Sequence, residues 1–209
     1  MRHAPRTPTL AVSAALIAAA SGLSVATAVA APSPHGATEL TKAAKIKSAM
    51  SAAPRSVSGS ATILDYPNAD GKFVTLRAGS NDWTCLPDDP STPGNDPICA
   101  DAQVMKWFDA WVAHEKPKLD SDGFAYMLKG ASDASNTDPF ATEPAPGEDW
   151  MSSSAHVMVF PKHPRSLRGV TTDMDNGGPW VMFAGTPYAH MMIPTRSPHA
   201  GMTGMDMNH

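Results

Sequence analysis

The two cysteines of this 209-residue chain constrain its fold more than any other feature. Cys85 and Cys99 flank a segment rich in proline and aspartate, and no other cysteine is present. In an oxidising compartment such a pair forms a structural disulfide, whereas in a reducing compartment it persists as two free thiols. The compartment to which the chain is delivered therefore decides whether a disulfide joins the two ends of this segment.

The start of the chain has the three-part pattern of a secretory signal peptide. Arg2 and Arg6 are basic, Leu10–Ala20 is apolar, and Ala28-Val29-Ala30 fits a cleavage site. A transmembrane anchor is the alternative, but a spanning helix needs about 20 consecutive apolar residues, and small polar residues interrupt this run. We therefore expect cleavage before Ala31, export to the periplasm or the extracellular medium, and a disulfide.

Composition limits the kinds of partner. Beyond the leader the chain has 14 Lys and Arg against 20 Asp and Glu, a net charge of −6. This acidic balance argues against nucleic acid, whose phosphates need a basic patch, and no later stretch fits a transmembrane segment. We expect a signal peptide over residues 1–30, a single domain over residues 31–194 and a flexible tail over residues 195–209.

Helical periodicity predicts two helices, over Thr38–Ala53 and Asp101–Lys116. Asp101 is suited to cap the second helix, and Pro117 to end it. One continuous apolar stripe marks this helix, formed by Val104, Trp107, Phe108, Trp111 and Val112.

Apolar stretches predict about five to six strands, within Ser60–Tyr66, Lys72–Gly79, Phe124–Gly130, Ala155–Pro161 and Pro179–Ile193. The last of these is split near Gly185. Asn68–Gly71 is a hairpin signal, because Asp-Gly tolerates positive φ. Prolines indicate irregular loops over residues 83–99 and 131–151. The fold class we expect is α+β, an antiparallel sheet of about five to six strands with two helices packed on one face and one disulfide.

Three motifs indicate a relationship to known sequences. They are Asn81-x-Trp83-Thr84-Cys85-Leu86-Pro87-Asp88 with Asp96-Pro97-x-Cys99, then Ser135-Asn136-Thr137-Asp138-Pro139, and Gly177-Gly178-Pro179-Trp180-Val181-Met182-Phe183-Ala184-Gly185-Thr186-Pro187-Tyr188-Ala189-His190. Together they resemble a group of uncharacterised bacterial secreted proteins, over about Ile46 to Pro194. The resemblance implies a single exported domain and brings no activity, cofactor or partner with it.

The tail carries the sharpest chemical signal. Five soft or borderline ligands lie within eleven residues: His199, Met202, Met205, Met207 and His209. Thioethers suit Cu(I), and imidazole suits Cu(II) or Zn(II). Such segments resemble the Met/His-rich stretches of periplasmic copper-handling proteins, so weak copper binding is one hypothesis. A soluble tail that binds nothing is the other.

A second candidate cluster lies in the predicted strands. Alternation places His156 and Met158 on one face of their strand, and His190 and Met192 on one face of theirs. If these faces align, the four side chains converge as a metal site, or a histidine acts as a base. The alternative is that each histidine packs in the sheet with one hydrogen bond.

Three functions remain open at this point. The first is an exported, soluble binding domain with copper at its tail. The second is a secreted hydrolase-like enzyme that uses His156 or His190 in a pocket beneath the 131–151 loop. The third is a structural or envelope-interaction protein with no small-molecule site. Nucleophile-elbow, zincin and phosphate-loop motifs are all missing from the sequence, which favours the first.

Overall fold

The computed structural model describes residues 40–67 and 72–195. Ten short strands form most of the regular secondary structure in these residues. The strands are β1 Thr62–Asp65, β2 Val74–Arg77, β3 Trp83–Leu86, β4 Ile98–Asp101, β5 Gly123–Met127, β6 Ala131–Asp133, β7 Met151–Ser153, β8 His156–Phe160, β9 Trp180–Met182 and β10 His190–Pro194. Eight of them form one sheet in the order β2-β1-β3-β4-β5-β8-β10-β9, and β6 pairs with β7. Only β1 and β3 pair in parallel within the described chain.

The α+β class is confirmed, but the main sheet has eight strands rather than five or six. The interpretation of residues 83–99 as wholly irregular was wrong, because β3 and β4 form its two ends and pair with each other. All four prolines of this segment lie between those strands, so only the connecting loop is irregular. The expected Cys85–Cys99 disulfide is confirmed, and it joins residues directly opposite each other on β3 and β4.

Three α-helices are present in the described chain where two were predicted: α1 Lys42–Met50, α2 Arg55–Ser58 and α3 Ala102–Val112. A 3-10 helix covers Pro164–Leu167. The Asp101 carboxylate caps α3, accepting hydrogen bonds from two backbone N–H groups at 2.9 Å. This helix ends four residues before the predicted limit, because His114 adopts a left-handed conformation with φ 56°.

The helices do not share one face of the sheet, contrary to expectation. Cys99 packs with Ala49 and Ala52, on the side of α1. Its neighbour Ala100 packs with Val104 and Trp107 of α3. Consecutive residues of a strand point to opposite faces, so α1 and α3 cover opposite sides of the sheet. No helix among the described residues is long and apolar enough to cross a membrane.

Three expectations fall outside the described residues. They concern the signal peptide over residues 1–30, the hairpin turn over residues 68–71 and the Met/His-rich tail. All five tail candidates lie beyond residue 195: His199, Met202, Met205, Met207 and His209.

Candidate functional site

Strands β8 and β10 bring the second candidate cluster onto one face. They pair antiparallel, with Met158 directly opposite Met192. His156 lies opposite Pro194 at one end of this ladder. The four candidate side chains all point toward the face covered by α3, where His156 is 1% exposed and His190 is 4% exposed.

The two histidines are not neighbours on this face. The Met158–Met192 pair lies between them, and His190 is four positions along β10 from Pro194, the residue opposite His156. At 3.3 Å per residue this is about 13 Å of strand. The strand register therefore brings the two methionines together and keeps the two imidazoles apart.

His156 has one hydrogen bond and one unpartnered ring nitrogen. Its Nδ1 lies 2.6 Å from the carbonyl oxygen of Ser154, which only accepts, so Nδ1 carries the proton. The Nε2 atom of the neutral ring is then an unprotonated acceptor, and it is buried without a hydrogen-bond partner. Burial lowers the pKa of His156, which keeps the ring neutral. Leaving a buried acceptor unsatisfied typically costs about 1–3 kcal/mol, so this nitrogen requires an explanation.

Three methionines occupy register positions adjacent to His156. Met127 of β5 lies directly opposite it, and Met158 is the next residue on the same face of β8. Met192 lies diagonally across on β10. Among the described residues, the core on this face holds seven methionines: Met105, Met127, Met151, Met158, Met174, Met182 and Met192.

His190 occupies an aromatic cage at the other end. Its ring stacks on Phe160 with centroids 4.5 Å apart, and Trp107 and Phe183 meet it edge-on at 5.7 and 5.6 Å. Its Nδ1 donates to the carbonyl oxygen of Tyr188 at 3.1 Å. Burial lowers the pKa of His190 to about 4. The ring is therefore neutral at physiological pH and packs as an aromatic side chain.

The long loop between β6 and β7 borders an open surface depression of about 660 Å³, lined by residues 142–150 and Ser91. Neither His156 nor His190 lines it. The hydrolase hypothesis placed one of these histidines in a pocket beneath this loop. Neither histidine lies in the depression that the loop borders.

A group of carboxylates lies in the loop between β3 and β4. The backbone N–H of Asp96 donates to Asp88 at 2.8 Å, and the Asp96 carboxylate accepts from the Asp89 N–H and the Thr92 hydroxyl. Burial raises the pKa of Asp88, and the charge of Asp96 raises it further. Among the described residues, no group of three or more His, Cys, Asp or Glu side chains is placed to hold a metal ion.

Sequence reasoning missed Met127, because only the β5–β8 register places it opposite His156. No signal local to either strand could have found it. Comparisons with known proteins give no match to this chain among family models, curated proteins or solved structures.

Proposed function

We propose that this chain is an exported domain that binds Cu(I), with His156 Nε2 and the neighbouring thioethers as ligands. The observation that carries the proposal is the buried, unpartnered Nε2 of His156 on a face rich in methionine. The leader, the disulfide and the resemblance to bacterial secreted proteins support export to the periplasm or the extracellular medium.

The ligand set favours Cu(I) over harder ions. Thioether sulfur is a soft donor, and a neutral imidazole completes a set without carboxylates. Metal-binding histidines typically donate their second N–H to a backbone carbonyl, which fixes the tautomer and the ring orientation. His156 makes this bond to Ser154. Neutral ligands in a buried site also suit a monovalent ion better than a divalent one, because burying charge is costly.

The tail supplies a second set of ligands in the same proposal. His199, Met202, Met205, Met207 and His209 offer the same two donor types. Unlike thiolates, thioethers do not form disulfides in an oxidising compartment. We infer that the tail binds copper more weakly than the site at His156, since its composition alone supports it.

Replacing His156 by Phe is expected to weaken Cu(I) binding by about 100-fold or more, because the only nitrogen ligand is lost. The matched control is His190→Phe, which removes the other buried histidine of the same face and is expected to leave the affinity unchanged. Binding is measured anaerobically on the chain from Ala31, by competition with a chromophoric Cu(I) chelator and with ascorbate as reductant.

Methionine variants test the sulfur ligands separately. Met192→Leu is nearly volume-conserving and is expected to weaken binding at least about tenfold. Met182→Leu is the control, since Met182 is equally buried but lies opposite His190. Equal affinities of the His156→Phe and wild-type proteins would rule out the internal site. A chain ending at Thr195 that kept the full copper stoichiometry would rule out the tail.

A further inference from the structure

One face of the main sheet is covered by helices at its two margins. On one side, Cys99 of β4 packs with Ala49 of α1. On the other side, Leu167 of the 3-10 helix packs with Val181 of β9 and lies against Met191 of β10. Residues directly opposite each other on adjacent strands share a face, and the pairings from β4 to β9 place both margins on the same face. Strands β5 and β8 lie between the two margins.

Six apolar side chains line the part of this face between the margins. They form two rows of directly opposed residues across β5, β8 and β10, namely Phe124–Val159–Met191 and Tyr126–Val157–Ile193. Phe124 is 47% exposed, and the other five are half-buried. An antiparallel sheet with one face in water usually alternates apolar and polar residues, whereas these strands are apolar on both faces. The pattern indicates that a further element covers this part of the face.

The uncovered part has the width of one α-helix. Strands β4 and β10 are three strand spacings apart, which is about 14 Å. A helix with its side chains is about 10–12 Å in diameter. Because α1 and the 3-10 helix rise from the sheet on either side, they form the walls of a groove with the two apolar rows as its floor. A flat surface such as a bilayer would meet the walls before the floor, whereas a single helix can lie between them.

The walls of this groove are basic, although the chain as a whole is acidic. Neither α1, α2 nor the 3-10 helix contains an Asp or Glu residue. Exposed cations lie on these helices or directly beside them: Lys42, Lys47, Arg55, Lys162, Arg165 and Arg168. None of them forms an ion pair with a residue of the described chain. The carboxylates of Asp101 and Asp122, at one end of the floor, already accept backbone hydrogen bonds from Phe124 and Lys162.

We propose that this groove binds an acidic, amphipathic α-helix of another protein. The apolar side of that helix lies on the floor, and its acidic residues face the cations of the walls. An apolar groove of this kind is a common way to recognise an amphipathic helix, and complementary charge selects the partner and its orientation. The proposal is independent of the copper site, because His156 points to the opposite face of the sheet, toward α3.

A designed peptide tests the groove. The probe is a fluorescent peptide of about 18 residues, long enough to form a helix, with leucine at i, i+3, i+4 and i+7 and glutamate on the flanks of that stripe. A matched peptide carries lysine in place of each glutamate. The chain from Ala31 is expected to bind the glutamate peptide at least about tenfold more tightly than the lysine peptide, and less tightly as salt is added. Fluorescence anisotropy measures both affinities.

Substitutions then locate the binding surface. Phe124→Ser is expected to weaken binding of the glutamate peptide at least about tenfold, because it removes the most exposed anchor of the floor. The control is Val112→Ser, since Val112 is equally exposed, at 48%, but belongs to α3 on the other side of the sheet.

A charge reversal tests the wall in the same assay. Arg165→Glu/Arg168→Glu is expected to abolish the preference for the glutamate peptide. Its control is Lys116→Glu/Lys118→Glu, at two exposed positions that follow α3, which is expected to keep that preference.

Several outcomes would overturn the proposal. Equal affinities for the two peptides would do so in the wild type alone, even if a variant failed to fold, and so would an unchanged affinity in Phe124→Ser. A wild-type dimer that Phe124→Ser dissociates would assign the face to a second copy of the chain. Binding to phosphatidylglycerol vesicles but not to the peptide would assign it to a membrane. Peptide binding that requires removal of residues 196–209 would assign it to that segment.

Discussion

Replacing His190 by Phe is expected to change the pH dependence of stability by about 3 kcal/mol between pH 7 and pH 4. The folded protein lowers the pKa of His190 to about 4, mainly through burial. The unfolded chain therefore takes up a proton first as the pH falls below about 6.5. This stabilising contribution is complete above pH 6.5 and is lost as the pH approaches 4, so the wild type should lose stability relative to His190→Phe.

The measurement is the difference in free energy of unfolding between the two proteins, from urea titrations at several pH values. Asp133 titrates in the opposite sense over an overlapping range, but it is present in both proteins and cancels from the difference. Phe preserves the stacking on Phe160, so folding should survive. A difference that is constant with pH would show that His190 is not held neutral.

Features that depend on residues close together in the sequence were predicted well. The Asp101 cap of α3 needs only the two N–H groups that follow it, and the structure shows both bonds. Alternation along β8 likewise assigned His156, Met158 and Phe160 to one face, and all three are buried. The end of α3 was missed, because His114 takes a left-handed conformation that is usually marked by glycine.

Features that depend on contacts between residues distant in the sequence could not be predicted from these local patterns. Strands β3 and β4 were not predicted, because the prolines of their connecting loop made the whole of residues 83–99 resemble an irregular segment. The placement of α1 and α3 on opposite faces depends on which strands they cross, as the contrast between Cys99 and Ala100 shows. The arrangement of the candidate site depends on strand register in the same way. The pairing of β5 with β8 places Met127 opposite His156, and the pairing of β8 with β10 keeps the two imidazoles apart.

Removing the disulfide is the second change with a large expected effect. The Cys85→Ala/Cys99→Ala double variant should lose about 3 kcal/mol of unfolding free energy, because the bond closes a loop of about 15 residues in the unfolded chain. Both sulfurs are fully buried, so alanine is a better replacement than serine. Urea titration under oxidising conditions measures the loss. The denaturant dependence should also steepen, since the unfolded chain becomes more expanded.

A thermodynamic cycle with Asp133→Asn separates two origins of this effect. If the disulfide acts through the unfolded chain, its removal should cost the same in the wild-type background and in the Asp133→Asn background, within about 0.5 kcal/mol. If it acts by holding Gly94 of the loop against Ser132 of β6, the cost should differ between the two backgrounds at pH 7.5, where the wild-type Asp133 is charged. We expect additivity at pH 5, where Asp133 is mostly protonated. A double variant as stable as the oxidised wild type would contradict the structural role of the bond.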